Sequence, residues 1–289
     1  MVSKLKDKIE DLVRNKKTQL PTLPMVVDKV LNAAIDEKTS SKDLSGFINN
    51  DQALANKILR LSNSAYYGQM KQVDTIQRAI TVVGFNEIIG LTIGMSVFSA
   101  FKQNPVHEVF DIRDLWLHSV GCATAAKEIG MKTGMKADEK LFLNGLLHDM
   151  GKVIFVVYFP KEYKAVLEDA GKNETVLFLK EKEILGIDHA VLSGLLMERW
   201  NFPESLVYPC RFHHDPTDCP QPYRYQATIV GLADFLCHQA GIGFSGNSVP
   251  DIPKTTAREL RLSEKDLKEL LQVLKKKRSS IQEFFELIK

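Results

Sequence analysis

LFLNGLLHDMGKVIFVVYF, residues 141–159, is the stretch on which the fold class turns. Leu146 and Leu147 head into a core, and His148 and Asp149 follow at once. Such residues are costly to bury unless a metal or a hydrogen-bond network offsets the loss of water. The second half, VIFVVYF, has the β-branched and aromatic make-up of a strand. No partner strand pattern lies near it, so a helix is expected here, and the chain is read as all-α.

Working outward, the pattern is helical almost throughout. Residues 3–16 carry Leu5, Ile9, Leu12 and Val13 on one face. Pro21 and Pro24 break that helix, since proline lacks an amide donor and disfavours helix in the residue before it. MVVDKVLNAAID (25–36) is a second helix, and Ser40 or Ser41 can cap a third with Asp43 in its first turn. A further helix runs to Gly68, and two more fill 75–103, parted near Gly84 and Asn86. Pro105 opens a connector, and Leu115, Trp116, Val120 and Ala123 share a face of the helix after it. Helices follow near 161–170, 173–183, 188–199 and 204–213. GIGFSGNSVPDIP (241–253) reads as a loop, and Ser263 can cap the second of two terminal helices.

The chain has 289 residues, enough for one large domain or two small ones, and its 44% hydrophobic content can build a core. Lys and Arg number 38 against 36 Asp and Glu, a net charge of +2. That balance argues against nucleic-acid binding by bulk electrostatics, and no nucleic-acid partner is expected. No apolar run looks long enough to span a bilayer, and the N-terminus lacks a signal-peptide core, so a soluble, cytoplasmic protein without a membrane partner is expected. Cys122, Cys210, Cys219 and Cys237 show no CxxC pairing and read as free thiols. Cys210 and Cys219 flank a histidine pair, but at a spacing that matches no common zinc motif.

His118 (LWLHSV), His148, His189 (GIDHAVL), His213 and His214 (FHHDP) fall in apolar or helix-end contexts, whereas His107 and His238 read as surface or packing residues. Asp234 is a lone carboxylate in the apolar helix VGLADFL and needs a partner if buried. Imidazoles and carboxylates in such numbers suit a divalent metal, and a bridging carboxylate such as Asp149 can serve two ions. Lys152 stands one turn from His148, where it can reach a phosphate. Each histidine taken alone is as well explained by a structural hydrogen bond.

The order H…HD…H…HH…D resembles the HD superfamily of metal-dependent phosphohydrolases. LPTLPMVVDKVL (20–31), INNDQALANKILRLSNSAYYG (48–68) and TIQRAITVVGFNEIIGL (75–91) look like the opening of an HDOD domain, an HD-related output domain. GLLHDMGKVIF, EKEILGIDHAVLSGLLMERWNFPESL and HHDP continue the likeness, which spans about residues 18–240. The resemblance implies an HDOD-type N-terminal helical part over 1–108, an HD-like helical core over 109–240, and a loop with C-terminal helices over 241–289.

It also implies one ion held by His118, His148, Asp149 and Asp234. A second would be held by Asp149 as a bridge with His189, His213 and His214. Fe, Mn, Zn and Ni all fit such a donor set. Asp149 and Lys152 are then the candidate catalytic groups, with Lys152 directed at substrate phosphate. Asp114, one turn before His118, would be an extra ligand or an acceptor that orients an imidazole. Two functions compete. HDOD proteins are generally regulatory modules, which implies a signalling protein partner. The intact ligand set implies instead a phosphohydrolase acting on a nucleotide or other phosphoester, and a di-iron oxygenase is a more distant variant. The Gly-Tyr-Pro signature of cyclic-di-GMP phosphodiesterases is missing: DPTDCPQPYRY follows His213 and His214. Asn63 and Ser64 fit a local helix-terminating role.

Overall fold

The structure is a computed structural model. It describes the chain except residues 1, 16, 19, 36–37, 69–70, 102–110, 136–139, 251–255 and 289. The Pro105 connector and His107 lie outside the described residues. Every regular element among those described is helical, as the class assignment expects. In chain order these are α1 (Val2–Arg14), α2 (Met25–Ile35), α3 (Ser41–Asn49), α4 (Gln52–Ser62), α5 (Ile76–Val83) and α6 (Phe85–Phe101). Next come α7 (Ile112–Lys132), α8 (Lys140–Leu147), α9 (Met150–Tyr158), α10 (Pro160–Lys172), α11 (Leu177–Leu185) and α12 (His189–Arg199). The last are α13 (Glu204–Arg211), α14 (Gln221–Ala240), α15 (Thr256–Glu259) and α16 (Glu264–Ile288), with a 3-10 turn at Pro216–Asp218.

The helices sort into two compact units. One comprises Met1–Leu20 and Asn104–Lys275, the other Pro21–Gln103 and Lys276–Lys289. In the second unit local chemistry sets the helix ends. Ser40 and Asp43 form a reciprocal capping box on α3, and Asp51 and Thr75 cap α4 and α5. α4 stops at Ser62, short of Gly68. The Asn63 side chain donates to the Leu59 and Val73 carbonyls and accepts from the Val73 amide at 2.8 Å, tying down the segment that follows. Tyr66 packs on Phe284, and the Tyr67 hydroxyl donates to Glu87.

The first unit carries the histidines. α9 is a helix although its residues favour strands, because Val153, Ile154, Phe155 and Val156 are all buried, and a helix that is apolar all round suits burial on every side. Lys140–Tyr158 is long and apolar enough to pass for a membrane span, contrary to the reading from sequence, as is the pair α5 and α6 if it is taken as one bent span. The Lys140–Tyr158 stretch is 89% buried inside the fold, and the His148–Asp149 turn breaks it into two helices. α11 begins at Leu177 and not near 173, because Asn173 closes α10 and Glu174 takes a left-handed φ of 47°. Ser263 and Asp266 cap α16 reciprocally, as expected. All four cysteines are free and buried.

Two close approaches set the geometry around the turn. A Cβ at Gly145 would lie 2.6–2.8 Å from the α7 backbone at Cys122 and Ala123, so only glycine lets α8 sit that near. A Cβ at Gly151 would overlap the His189 carbonyl, so the start of α9 and the start of α12 also meet through a glycine.

Candidate metal centre

Four helices and two turns of the first unit converge on one buried cluster. α7 brings His118 and, one turn on, Cys122. The α8–α9 turn brings His148 and Asp149, and α9 adds Lys152. His189 opens α12, His213 and His214 follow α13, and Asp234 projects from α14. All seven candidate ligands are buried: His118, Asp149 and Asp234 are 1%, 1% and 5% exposed, His148, His189 and His213 are 0%, and His214 is 8%.

The turn is held rigidly. Ser193 Oγ accepts the Gly151 amide at 2.7 Å and donates to the His148 carbonyl at 2.8 Å. His148 Nδ1 faces the Gly145 carbonyl at 2.8 Å, and His213 Nδ1 faces the Cys210 carbonyl at 2.7 Å. A carbonyl only accepts, so both rings carry their proton on Nδ1 and present a lone pair at Nε2. Both Nε2 atoms are buried without a hydrogen-bond partner. Orphaned acceptors of this kind are costly unless something electrophilic meets them.

Asp149 faces two ways. Its Oδ2 lies 3.5 Å from His148 Nε2 and 4.0 Å from His118 Nε2, while Oδ1 lies 3.1 Å from His189 Nε2. Asp234 Oδ1 lies 2.9 Å from His118 Nε2 and 4.0 Å from His148 Nε2. Donor atoms fall into compact groups: His118, Cys122, His148 and Asp234; His189, His213 and His214; and His148, Asp149 and His213. The two oxygens of Asp149 thus point into adjoining donor groups, the geometry a bridging carboxylate requires.

The electrostatics agree. Burial keeps His148 and His214 more acidic than a free imidazole, and burial with its His148 and His189 neighbours brings His213 down to about 3, so all three rings are neutral at pH 7. Burial also opposes charge on His118 and His189. The Cys237 and Asp234 side chains outweigh it at His118, taking that ring to about 10, and Glu181 does so at His189, to about 9. Asp149 is held well below the usual carboxylate range against burial by His148, Lys152 and His189. Without an ion, protons on His118 and His189 and the Lys152 ammonium face the three buried carboxylates of Asp149, Asp234 and Glu181.

His189 illustrates the alternatives. Glu181 Oε2 lies 2.6 Å from its Nδ1 and fixes the proton there. A neutral His189 then aims a lone pair at Asp149 Oδ1 and at His214 Nε2, 3.0 Å away. Those contacts need either a second proton or a cation between them. The residues therefore fit a divalent metal.

Lys152, expected to reach a phosphate, is fully buried with its ammonium 2.7 Å from Asp149 Oδ2. Asp114 is exposed at the start of α7, and its backbone carbonyl accepts the Phe244 amide. Sequence reading missed Cys122, Glu181 and Ser193. Cys122 was legible as the position one turn from His118. Glu181 is buried beneath His189 and also accepts the Tyr163 hydroxyl at 2.9 Å, yet it stands in the charged run KEKE without a local signal.

The HDOD domain family model matches residues 20–216. An HDOD domain protein of unknown function from Geobacter sulfurreducens superposes with a TM-score of 0.80 at 22% identity, covering 99% of each chain, a likeness of fold. A Shewanella amazonensis SB2B protein provisionally named a phosphohydrolase superposes with a TM-score of 0.74 at 26% identity, covering 99% of this chain and 98% of that one. An uncharacterised protein of Treponema pallidum (strain Nichols) is 25% identical over 279 residues, 95% of this chain; the chain spans about half (51%) of that relative's length.

Proposed function

Because the chain belongs to the HDOD domain family, we propose that it is a regulatory output module that binds a signalling protein partner in the cytoplasm and holds one or two divalent ions in its first unit. His118, His148, Asp149 and Asp234 would hold one ion, and Asp149, His189, His213 and His214 a second, with Fe, Mn, Zn and Ni as candidates. The observation that carries the metal is the pair of buried, unpartnered acceptors at His148 Nε2 and His213 Nε2 beside the Asp149 carboxylate. The four buried, unpaired cysteines accord with a reducing compartment.

A regulatory role is favoured over turnover by the state of Lys152. A lysine that grips substrate phosphate must offer its ammonium, and this one is buried and paired with Asp149. The ligand side chains are as deeply buried as the core around them. Bound there, an ion would join α7, the α8–α9 turn, α12 and α14, so its binding free energy would feed into the stability of the unit.

The second reading is a phosphohydrolase on a nucleotide-like phosphoester, favoured by the convergent donor set and the likeness to the Shewanella protein. An ion in this site would supply Lewis-acid activation of water and of a phosphoryl oxygen. One experiment separates the readings: elemental analysis of protein purified without chelator, with a bis(4-nitrophenyl) phosphate assay, on wild type and on His148→Ala/Asp149→Ala. About one or two equivalents of metal, lost in the variant and without turnover, support the regulatory module. Turnover that disappears with the variant supports the enzyme. A metal-free wild type sinks the metal-holding part of both.

A further inference from the structure

We propose that Cys122 is a thiolate ligand of the ion at His118, His148 and Asp234, making that half of the centre a sulfur-containing site selective for Zn(II), Co(II) or Fe(II) over Mn(II) and Mg(II). The inference rests on the metal-holding reading above and specifies its chemistry.

Cys122 follows His118 by four residues on α7, so both side chains stand on one face of the helix. Its Sγ lies 3.2 Å from His118 Nε2, the same atom that meets Asp234 Oδ1 at 2.9 Å. The donor atoms of His118, Cys122, His148 and Asp234 all lie within 4.8 Å of one another and all four residues are buried. Bonds of about 2.0–2.3 Å at tetrahedral angles place donors roughly 3.3–3.6 Å apart, so the 2.9 and 3.2 Å contacts must open a little and the 4.0 Å His148–Asp234 separation close a little to take an ion. A second observation points the same way: His148 Nε2 faces this group with a lone pair and no partner.

The neighbouring sulfur is otherwise engaged. Cys237 also acts on the His118 ring, but its Sγ meets the His118 and Ile242 backbone carbonyls at 3.4 and 3.5 Å, whereas Cys122 Sγ meets the ring nitrogen and belongs to the compact donor group. On coordination the Cys122 thiol and the His118 imidazolium each release a proton to solvent, and the freed sulfur and Nε2 lone pairs form the new bonds, with no change of oxidation state. Thiolate is a soft donor, which sets the metal preference.

The test is a Co(II) titration of chelator-stripped full-length protein, followed by absorption. A near-ultraviolet thiolate-to-cobalt charge-transfer band that saturates stoichiometrically in wild type and in Cys237→Ser, and is absent in Cys122→Ser, is the expected result. Cys122→Ser should also weaken Co(II) by more than the roughly 10–100-fold that loss of an outer-sphere partner costs, and Mn(II) far less. Stoichiometric Co(II) binding without the band overturns the thiolate and leaves the metal reading standing. A band that survives Cys122→Ser and is lost from Cys237→Ser assigns the wrong sulfur. No Co(II) binding at all removes the metal reading together with the ligand. Should Cys122→Ser not fold, Cys122→Ala takes its place, and the wild-type spectrum still decides whether any thiolate binds.

Discussion

Replacing Lys152 with methionine tests whether a buried cation stands in for a metal. The ammonium is fully buried, 2.7 Å from Asp149 Oδ2, and burial alone would make it easier to deprotonate; Asp149 reverses that and keeps it charged. Methionine preserves the length of the stem and removes only the charge. Asp149 then loses its closest cation while remaining 1% exposed. Removing one partner of a buried pair costs about 3–5 kcal/mol, because the other charge stays behind. For a unit of this size each kcal/mol moves Tm by about 2–4 °C, so the chelator-treated Lys152→Met protein should melt ~6–20 °C below wild type. A divalent ion brings two positive charges to the same carboxylate, so with Zn(II) or Mn(II) present the deficit should shrink. By linkage, recovery of about 2.7 kcal/mol means that the variant binds the ion about 100-fold more tightly than wild type. The assay is thermal unfolding of both proteins with chelator and across a metal titration. An equal deficit with and without metal would refute the reasoning, because Lys152 would then compensate a charge that no ion reaches.

Gly151→Ala should destabilise the protein by about 1–3 kcal/mol and weaken metal binding, since the new methyl collides with the His189 carbonyl and must move His189 away from Asp149; denaturant unfolding and metal titration check both. Glu181→Gln leaves one carbonyl oxygen for three donors, the Tyr163 hydroxyl and the amide and Nδ1 of His189, and should lower metal affinity about 10–100-fold by chelator competition. Asp266 is held below the usual carboxylate range by Lys132 and by the Ser263 side chain and amide. Its folded pKa lies below its unfolded one, so its contribution to stability is full above about pH 4 and drains as pH falls through the folded value. Asp266→Asn should therefore flatten the acid limb of a stability–pH curve and leave its neutral and basic limbs parallel to wild type.

The residues that local chemistry governs were legible before any coordinates. Ser40 with Asp43 and Ser263 with Asp266 announce helix starts, because a hydroxyl and a carboxylate three residues apart satisfy free amides within one turn. The helical class and the histidine order that resembles an HD core were likewise legible in the sequence. Tertiary structure alone decided three things. It turned the two oxygens of Asp149 toward separate donor groups, it buried Lys152 against that carboxylate, and it set Glu181 beneath His189. Each depends on contacts between helices far apart in the chain. The cost of burying a charge is settled by the partner that packing supplies, and no local pattern encodes that partner.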